Sequence, residues 1–137
     1  MLKKWRGISG LFSMLGVALF FLAKSATCMA QVTDISSTEL MQRIKANHPS
    51  LILDVRTPEE YAEGHIPGAI NIPHDKLSAR LVEINSHKDK DIVLYCRSGR
   101  RVGIATDTLQ AAGFSKLLHL DGDMNGWLSK GNLPIKK

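Results

Sequence analysis

The residues with the clearest chemical potential surround one cysteine. The segment from Cys96 to Arg101 holds a thiol and three arginines within six positions. A thiolate is a strong nucleophile, and guanidinium groups bind oxyanions such as sulfonate or phosphate. Gly99 permits a turn with positive φ, in which successive backbone N–H groups point inward as an anion-binding nest. The segment therefore predicts a nucleophilic thiolate facing an anion cradle, which is a constellation of covalent catalysis.

The three arginines of this segment are expected to have different roles. Arg101 is the first candidate for holding the loop, because it lies where the next helix begins. Arg97 and Arg100 are better placed to meet substrate or solvent. The alternative interpretation is a basic surface loop with an incidental cysteine, and the clustering of three arginines next to that cysteine disfavours it.

Predicted strands and helices alternate along residues 31–137, and this order indicates where segment 96–101 lies in the fold. Short apolar runs predict strands at 32–35, 51–55, 69–72, 92–95 and 117–120. Capping boxes and apolar spacing predict helices after Ser36–Glu39, after Thr57–Glu60, at about 75–84, over 102–112 and around Trp127. This alternation predicts an α/β fold with a mostly parallel sheet and helices on both faces. Ligands of such sheets bind at the carboxyl ends of strands, which is where Cys96 falls.

Composition and charge exclude several classes of protein. The 137 residues are 44% hydrophobic and 23% charged, which are globular values, and two cysteines exclude a disulfide-rich scaffold. The net charge of +5 is concentrated near the start, because residues 1–30 hold four basic and no acidic side chains. The remainder carries 14 basic and 13 acidic side chains, so no basic domain is expected to bind nucleic acid. We expect one domain at 31–137.

Residues 1–30 have the pattern of an export signal. A cationic start at Met1–Arg6 precedes an apolar run from Ile8 to Ala23, and small residues gather before Gln31. We expect cleavage after Ala30 and a periplasmic protein with no membrane attachment beyond this leader. The alternative is an uncleaved segment that anchors the protein to the inner membrane. Cleavage would remove Cys28 and leave Cys96 as the only thiol.

The sequence resembles the rhodanese family of sulfurtransferases. The similarity rests on four segments and covers nearly all of residues 33–133; the segments are 54–61, 64–73, 96–101 and 122–127. The size and the leader are most similar to small exported single-domain members of the phage-shock protein E type. The resemblance implies a rhodanese-like α/β fold around a five-stranded sheet.

The resemblance also implies an activity, thiosulfate sulfurtransfer. In that family the cysteine that matches Cys96 attacks the sulfane sulfur of thiosulfate, expels sulfite and holds a persulfide. The sulfur then passes to cyanide or to a thiol, and a protein thiol is one candidate acceptor. The loop amides would cradle substrate and persulfide, which makes these the expected substrate-binding residues: Arg97, Ser98, Gly99, Arg100 and Arg101. No metal or organic cofactor is implied.

Two rival functions remain open at this point. The first is a persulfide carrier or interaction module of the same fold that does not turn over thiosulfate. The second is a phosphatase-type hydrolase, which a loop of six residues disfavours because the related phosphatases have one residue more. Family members often carry paired glycines before the last helix, whereas Asp123 follows Gly122 here. That carboxylate either weakens thiosulfate binding or pairs with an arginine.

Three other groups of residues are expected to be structural. Asp54 and Arg56, at the end of a predicted buried strand, are interpreted as an ion pair or turn bond. His65 and His74 do not have the spacing of a zinc motif. Trp127 is expected to cover the core, as is its neighbour Met124.

Overall fold

A computed structural model describes residues 31–47 and 50–137. The predictions about a leader at residues 1–30 lie outside the described residues. Within them, the strands are β1 Thr33–Ile35, β2 Leu51–Asp54, β3 Ile70–Asn71, β4 Ile92–Tyr95 and β5 Leu117–Leu120. The α-helices are α1 Ser37–Lys45, α2 Pro58–Glu63, α3 Leu77–Arg80, α4 Arg100–Ala111 and α5 Asp123–Ser129. A 3-10 helix, Leu81–His87, follows α3 directly.

The five strands form one sheet in the order β1-β5-β4-β2-β3. Every neighbouring pair is parallel, so the predicted five-stranded α/β architecture is confirmed and the sheet is parallel throughout its described strands. β4 lies at the centre, with Leu53 and His119 both beside Leu94 in the register. Cys96, the residue after β4, therefore lies in the middle of the carboxyl edge of the sheet.

Helices cover both faces of the sheet, and each face has its own apolar core. Side chains of β4 and of Cys96, which follows it, alternate between the two, with Leu94 and Cys96 in one cluster and Val93 and Tyr95 in the other. This explains why the strand is an uninterrupted apolar run. Trp127 is fully buried in the second cluster, as predicted, and Met124 packs there too.

The start of α2 agrees with the sequence, but the start of α1 does not. At α2 both halves of the predicted capping box are present, because Thr57 Oγ1 accepts from the Glu60 N–H and Glu60 Oε2 accepts from the Thr57 N–H. At α1 only Ser36 caps, by accepting from the Glu39 N–H. The Glu39 carboxylate instead binds Arg43 one turn later at 2.8 Å, and that ion pair replaces the second half of the box.

The helix predicted at about 75–84 was only partly correct. α3 ends after four residues, and the chain continues as a 3-10 helix to His87. Leu77 and Ile84 are the two fully buried side chains of this stretch. Two buried side chains are too few to form the continuous apolar face that a regular α-helix buries. Packing against the rest of the domain therefore decides where the α-helix gives way to a 3-10 helix. No helix within residues 31–47 and 50–137 has the length and apolar character needed to cross a membrane.

Candidate active site

The Cys96 loop, residues 96–101, joins β4 to α4 at the carboxyl edge of the sheet. Cys96 is only 1% exposed and lies at the floor of a surface depression of about 340 Å³. The rim of this depression is formed by His74, Arg97, Ser98, Arg100, Arg101 and Ile104. Of the expected site residues, only Gly99 does not line it. The structure thus brings the cysteine and the three arginines around one opening.

Gly99 and the start of α4 shape the surroundings of the sulfur. The Gly99 N–H donates to Cys96 Sγ at 3.0 Å. Gly99 has φ of +106°, a conformation that favours glycine, and it caps α4, which begins at Arg100. The positive end of the dipole of this 12-residue helix therefore points toward the loop, where it stabilises negative charge on the sulfur or on a bound anion.

The first turn of α5 holds the Cys96 loop from behind. Asp123 Oδ1 accepts the Cys96 N–H at 2.8 Å, and the Cys96 carbonyl accepts the Met124 N–H at 3.0 Å. The Arg97 carbonyl in turn accepts the Asn125 N–H at 3.2 Å. Three consecutive residues of α5 thereby fix the first two residues of the loop.

Asp123 does not pair with an arginine, so that sequence-based alternative is wrong. Its side chain is 3% exposed, and its second oxygen, Oδ2, lies 2.9 Å from His119 Nε2. Asp123 also adopts φ of +52°, in the left-handed region where glycine is favoured and aspartate is tolerated. This positive φ explains why members of the family often carry a glycine at the position of Asp123.

Arg101 holds the Cys96 loop to α2. Its guanidinium forms two bonds to the Glu60 carboxylate, at 2.5 and 2.9 Å, and both side chains are about three-quarters buried. The hydrogen bond from Arg101 lowers the pKa of Glu60 to about 2, against a smaller opposing effect of burial. The geometry agrees with the anchoring role predicted for Arg101.

Replacing Glu60 with glutamine is expected to change the acid stability of the protein. The glutamine side chain would keep the capping geometry but not the charge, so we expect a loss of about 1 kcal/mol at neutral pH. The pKa of Glu60 is depressed from 4.5, so its contribution is present above pH 4.5 and disappears as pH falls toward 2. Urea unfolding at several pH values should show the difference between wild type and Glu60→Gln shrinking across this window. A pH-independent difference would contradict this assignment.

Arg97 and Arg100 differ from Arg101, because both are exposed at the rim. No acidic side chain of the described part of the chain forms an ion pair with either. Two uncompensated positive charges therefore border the opening above Cys96. Such charges favour the approach of anions to the depression, and a substrate-binding role for Arg97 and Arg100 stays a prediction.

Asp54 and Arg56 form a structural pair next to the site. Both residues are buried, and the Arg56 guanidinium binds the Asp54 carboxylate at 2.6 to 3.1 Å and the Gly64 carbonyl at 2.8 Å. Arg56 also lies over the Tyr95 ring, 5.6 Å from its centroid. The pair braces the turn after β2 and does not reach the depression, which agrees with its predicted structural role.

The histidines have separate places in the structure. His65 stacks on Tyr61 in the turn after α2, as a packed residue. His74 lines the depression, which its sequence context did not indicate. His119, at the carboxyl end of β5, was also missed, although its position at this edge of the sheet was a usable signal. No group of three or more potential metal ligands is found among residues 31–47 and 50–137.

The fold and the loop together define a class of protein, a parallel α/β domain with a buried cysteine in an arginine-rich loop at the carboxyl edge of its sheet. Residues 36–130 match the rhodanese-like domain. Because this match covers more than half of the chain, the chain belongs to the rhodanese-like domain family. The resemblance found in the sequence is thereby confirmed.

Similar proteins agree with this family. A sulfurtransferase from Allochromatium vinosum is 40% identical over 104 residues, which are 76% of this chain and 94% of that protein. The thiosulfate:glutathione sulfurtransferase of Saccharomyces cerevisiae is 35% identical, over 69% of this chain and 78% of its own. A crystal structure of a rhodanese-related protein from Thermoplasma volcanium has a TM-score of 0.65 at 28% identity, covering 76% of this chain and 97% of that one. The family and these relatives support sulfur transfer, from a sulfur donor to a thiol acceptor, as the general activity.

Proposed function

We propose that this protein is a thiosulfate sulfurtransferase that carries sulfur as a persulfide on Cys96. The observation that carries the proposal is the position of Cys96 Sγ, at the floor of an open depression, bonded to the Gly99 N–H and bordered by the exposed Arg97 and Arg100. Thiosulfate is a small dianion, and its terminal sulfur is the electrophile that a thiolate in such a site would meet. The thiosulfate:glutathione sulfurtransferase among the relatives supports this choice of donor.

The reaction proceeds in two displacements. The Cys96 thiolate attacks the sulfane sulfur of thiosulfate, the S–S bond of thiosulfate breaks, and sulfite leaves with the bonding electron pair. The acceptor, cyanide or a thiolate, then attacks the outer sulfur of the persulfide. Thiocyanate or an acceptor persulfide departs, and the Cys96 thiolate is regenerated. The Gly99 N–H and the start of α4 stabilise negative charge on the sulfur at each stage.

The test of the proposal is the intact mass of residues 31–137 before and after thiosulfate. We expect a gain of one sulfur atom, which disappears on adding cyanide with release of thiocyanate, or on adding glutathione. Absence of the gain, with Cys96 still open to alkylation, would replace this proposal with the interaction module of the same fold. A gain of sulfur without release to cyanide or any thiol would instead support the persulfide carrier.

Arg97 and Arg100 are expected to determine how well the anionic donor binds. Changing both to glutamine should raise the KM for thiosulfate about threefold to tenfold, with a smaller change in kcat, because it removes two charges from the rim. The double variant Arg80→Gln/Lys90→Gln is the matched control, since it removes the same charge away from the depression. Steady-state kinetics at low and high salt check this, and the difference in KM should shrink with salt. Equal effects of the two double variants would contradict a local role.

We also propose that residues 1–30 direct export to the periplasm. The support is their cationic start, their apolar run and the small residues before Gln31. N-terminal sequencing of the protein recovered from the periplasmic fraction tests both the export and the cut after Ala30. An intact start in the membrane fraction would support the anchor instead.

A further inference from the structure

A histidine and a buried aspartate lie directly behind the Cys96 loop. Asp123 binds the Cys96 N–H through Oδ1 and lies 2.9 Å from His119 Nε2 through Oδ2. The pair also touches the underside of the loop. A methyl group placed on Gly99 would come within 3.2 Å of Asp123 Oδ2 and 3.6 Å of His119 Cε1. No side chain therefore separates the pair from the loop that surrounds the sulfur.

The surroundings of His119 favour its charged form. Its Nε2 faces Asp123 of α5, its Nδ1 lies 3.5 Å from Asp34 of β1, and Asp121 acts on it from the turn between β5 and α5. The hydrogen bond to Asp123 raises the pKa of His119 above its ordinary value, against the opposing effect of burial. A protonated His119 balances the charge of Asp123, whereas a neutral His119 leaves a buried carboxylate uncompensated behind the loop.

A negative charge on Asp123 that His119 does not balance acts electrostatically on any charged molecule that approaches Cys96. Asp123 is in contact with the backbone of the nucleophile itself, and it is shielded from solvent, so water screens its field weakly. Thiosulfate and the thiolate are both negative, and a buried negative charge beneath them opposes their meeting. A neutral reagent would not experience this repulsion.

We propose that His119 is a positioning residue that neutralises Asp123 and thereby lets anionic sulfur donors reach Cys96. Deprotonation of His119, as pH rises through its pKa, reduces this access. The identity of the donor rests on the function proposed above, but the electrostatic effect does not. Asp123 is then not simply harmful to thiosulfate binding: its effect depends on the charge of His119.

The test compares two alkylating reagents of similar shape, anionic iodoacetate and neutral iodoacetamide. The same Cys96 thiolate attacks the CH2 carbon of either reagent and displaces iodide, so the ratio of the two rates cancels the thiolate fraction and reports the electrostatic field at the sulfur. In the wild type we expect the iodoacetate:iodoacetamide ratio to fall about threefold to tenfold as His119 deprotonates. The NMR signal of the His119 ring gives the pH of that step independently.

Three variants test whether the fall in the iodoacetate:iodoacetamide ratio is caused by His119 and Asp123. His119→Gln keeps a donor to Asp123 without the charge and should show the low ratio at every pH. Asp123→Asn keeps the bond to the Cys96 N–H but removes the carboxylate that raises the pKa of His119, so its fall should move to a lower pH. His74→Gln removes the histidine on the rim and should retain the fall of the wild type.

The outcomes separate this inference from the proposed function. A constant wild-type ratio, or a fall at the same pH in Asp123→Asn as in the wild type, overturns the role of His119 whether or not thiosulfate is turned over. Alkylation needs no sulfur donor, so a failed persulfide assay leaves this test intact. If Asp123→Asn does not fold, Asp123→Gly replaces it, because glycine suits the positive φ at this position. In an active enzyme, the KM for thiosulfate should rise through the same pH step in the wild type, and at a lower pH in Asp123→Asn or Asp123→Gly.

Discussion

Replacing Cys96 with serine should reduce sulfur transfer from thiosulfate to cyanide by at least about 1000-fold, because the variant has no thiolate to carry the sulfur. Serine is close to cysteine in size, so the loop should keep its bonds to Asp123 and Met124. The hydroxyl would still accept from the Gly99 N–H, but it is a far weaker nucleophile at neutral pH. Initial rates of thiocyanate formation measure the effect.

The control for this variant is Cys28→Ser in the full chain, which removes the other cysteine of the sequence. It should keep full turnover. Thermal unfolding of Cys96→Ser should remain cooperative, which excludes loss of fold as the cause of inactivity. Comparable turnover by Cys96→Ser and wild type would mean that sulfur is not carried on this residue, and the proposed mechanism would be wrong.

Replacing Arg56 with methionine should cost about 3–5 kcal/mol of unfolding free energy, since it leaves a buried charge without its partner. The Asp54 carboxylate is fully buried and receives three of its bonds from the Arg56 guanidinium. The same guanidinium binds the Gly64 carbonyl, which would also lose its donor. Urea unfolding at neutral pH measures the loss.

Two further variants show whether the buried charge is the cause. Asp54→Asn/Arg56→Met removes both charges, so it should be more stable than Arg56→Met alone. Arg80→Met breaks the exposed pair with Glu83 and should cost far less, because water screens this pair. Similar losses for Arg56→Met and Arg80→Met would contradict the assignment of Asp54 and Arg56 as a buried brace.

Features that depend on nearby residues were predictable from the sequence. The apolar run of β4 predicted a strand buried on both faces, because such a strand has no polar side. Thr57, Pro58 and Glu60 predicted the start of α2, because all the atoms of the capping box lie within four residues. Cys96 and its arginines were found for the same reason, since one short loop holds them all.

The contacts that tune the site were decided by the tertiary structure. Arg101 meets Glu60 across 41 positions, and the Cys96 N–H meets Asp123 across 27. No local pattern encodes such pairs, because they form only where the carboxyl ends of parallel strands bring separate loops together. His119 became visible as a member of the site for this reason. The sequence thus determined the fold class and the position of the proposed nucleophile, whereas packing at one edge of the sheet determined which charges surround it.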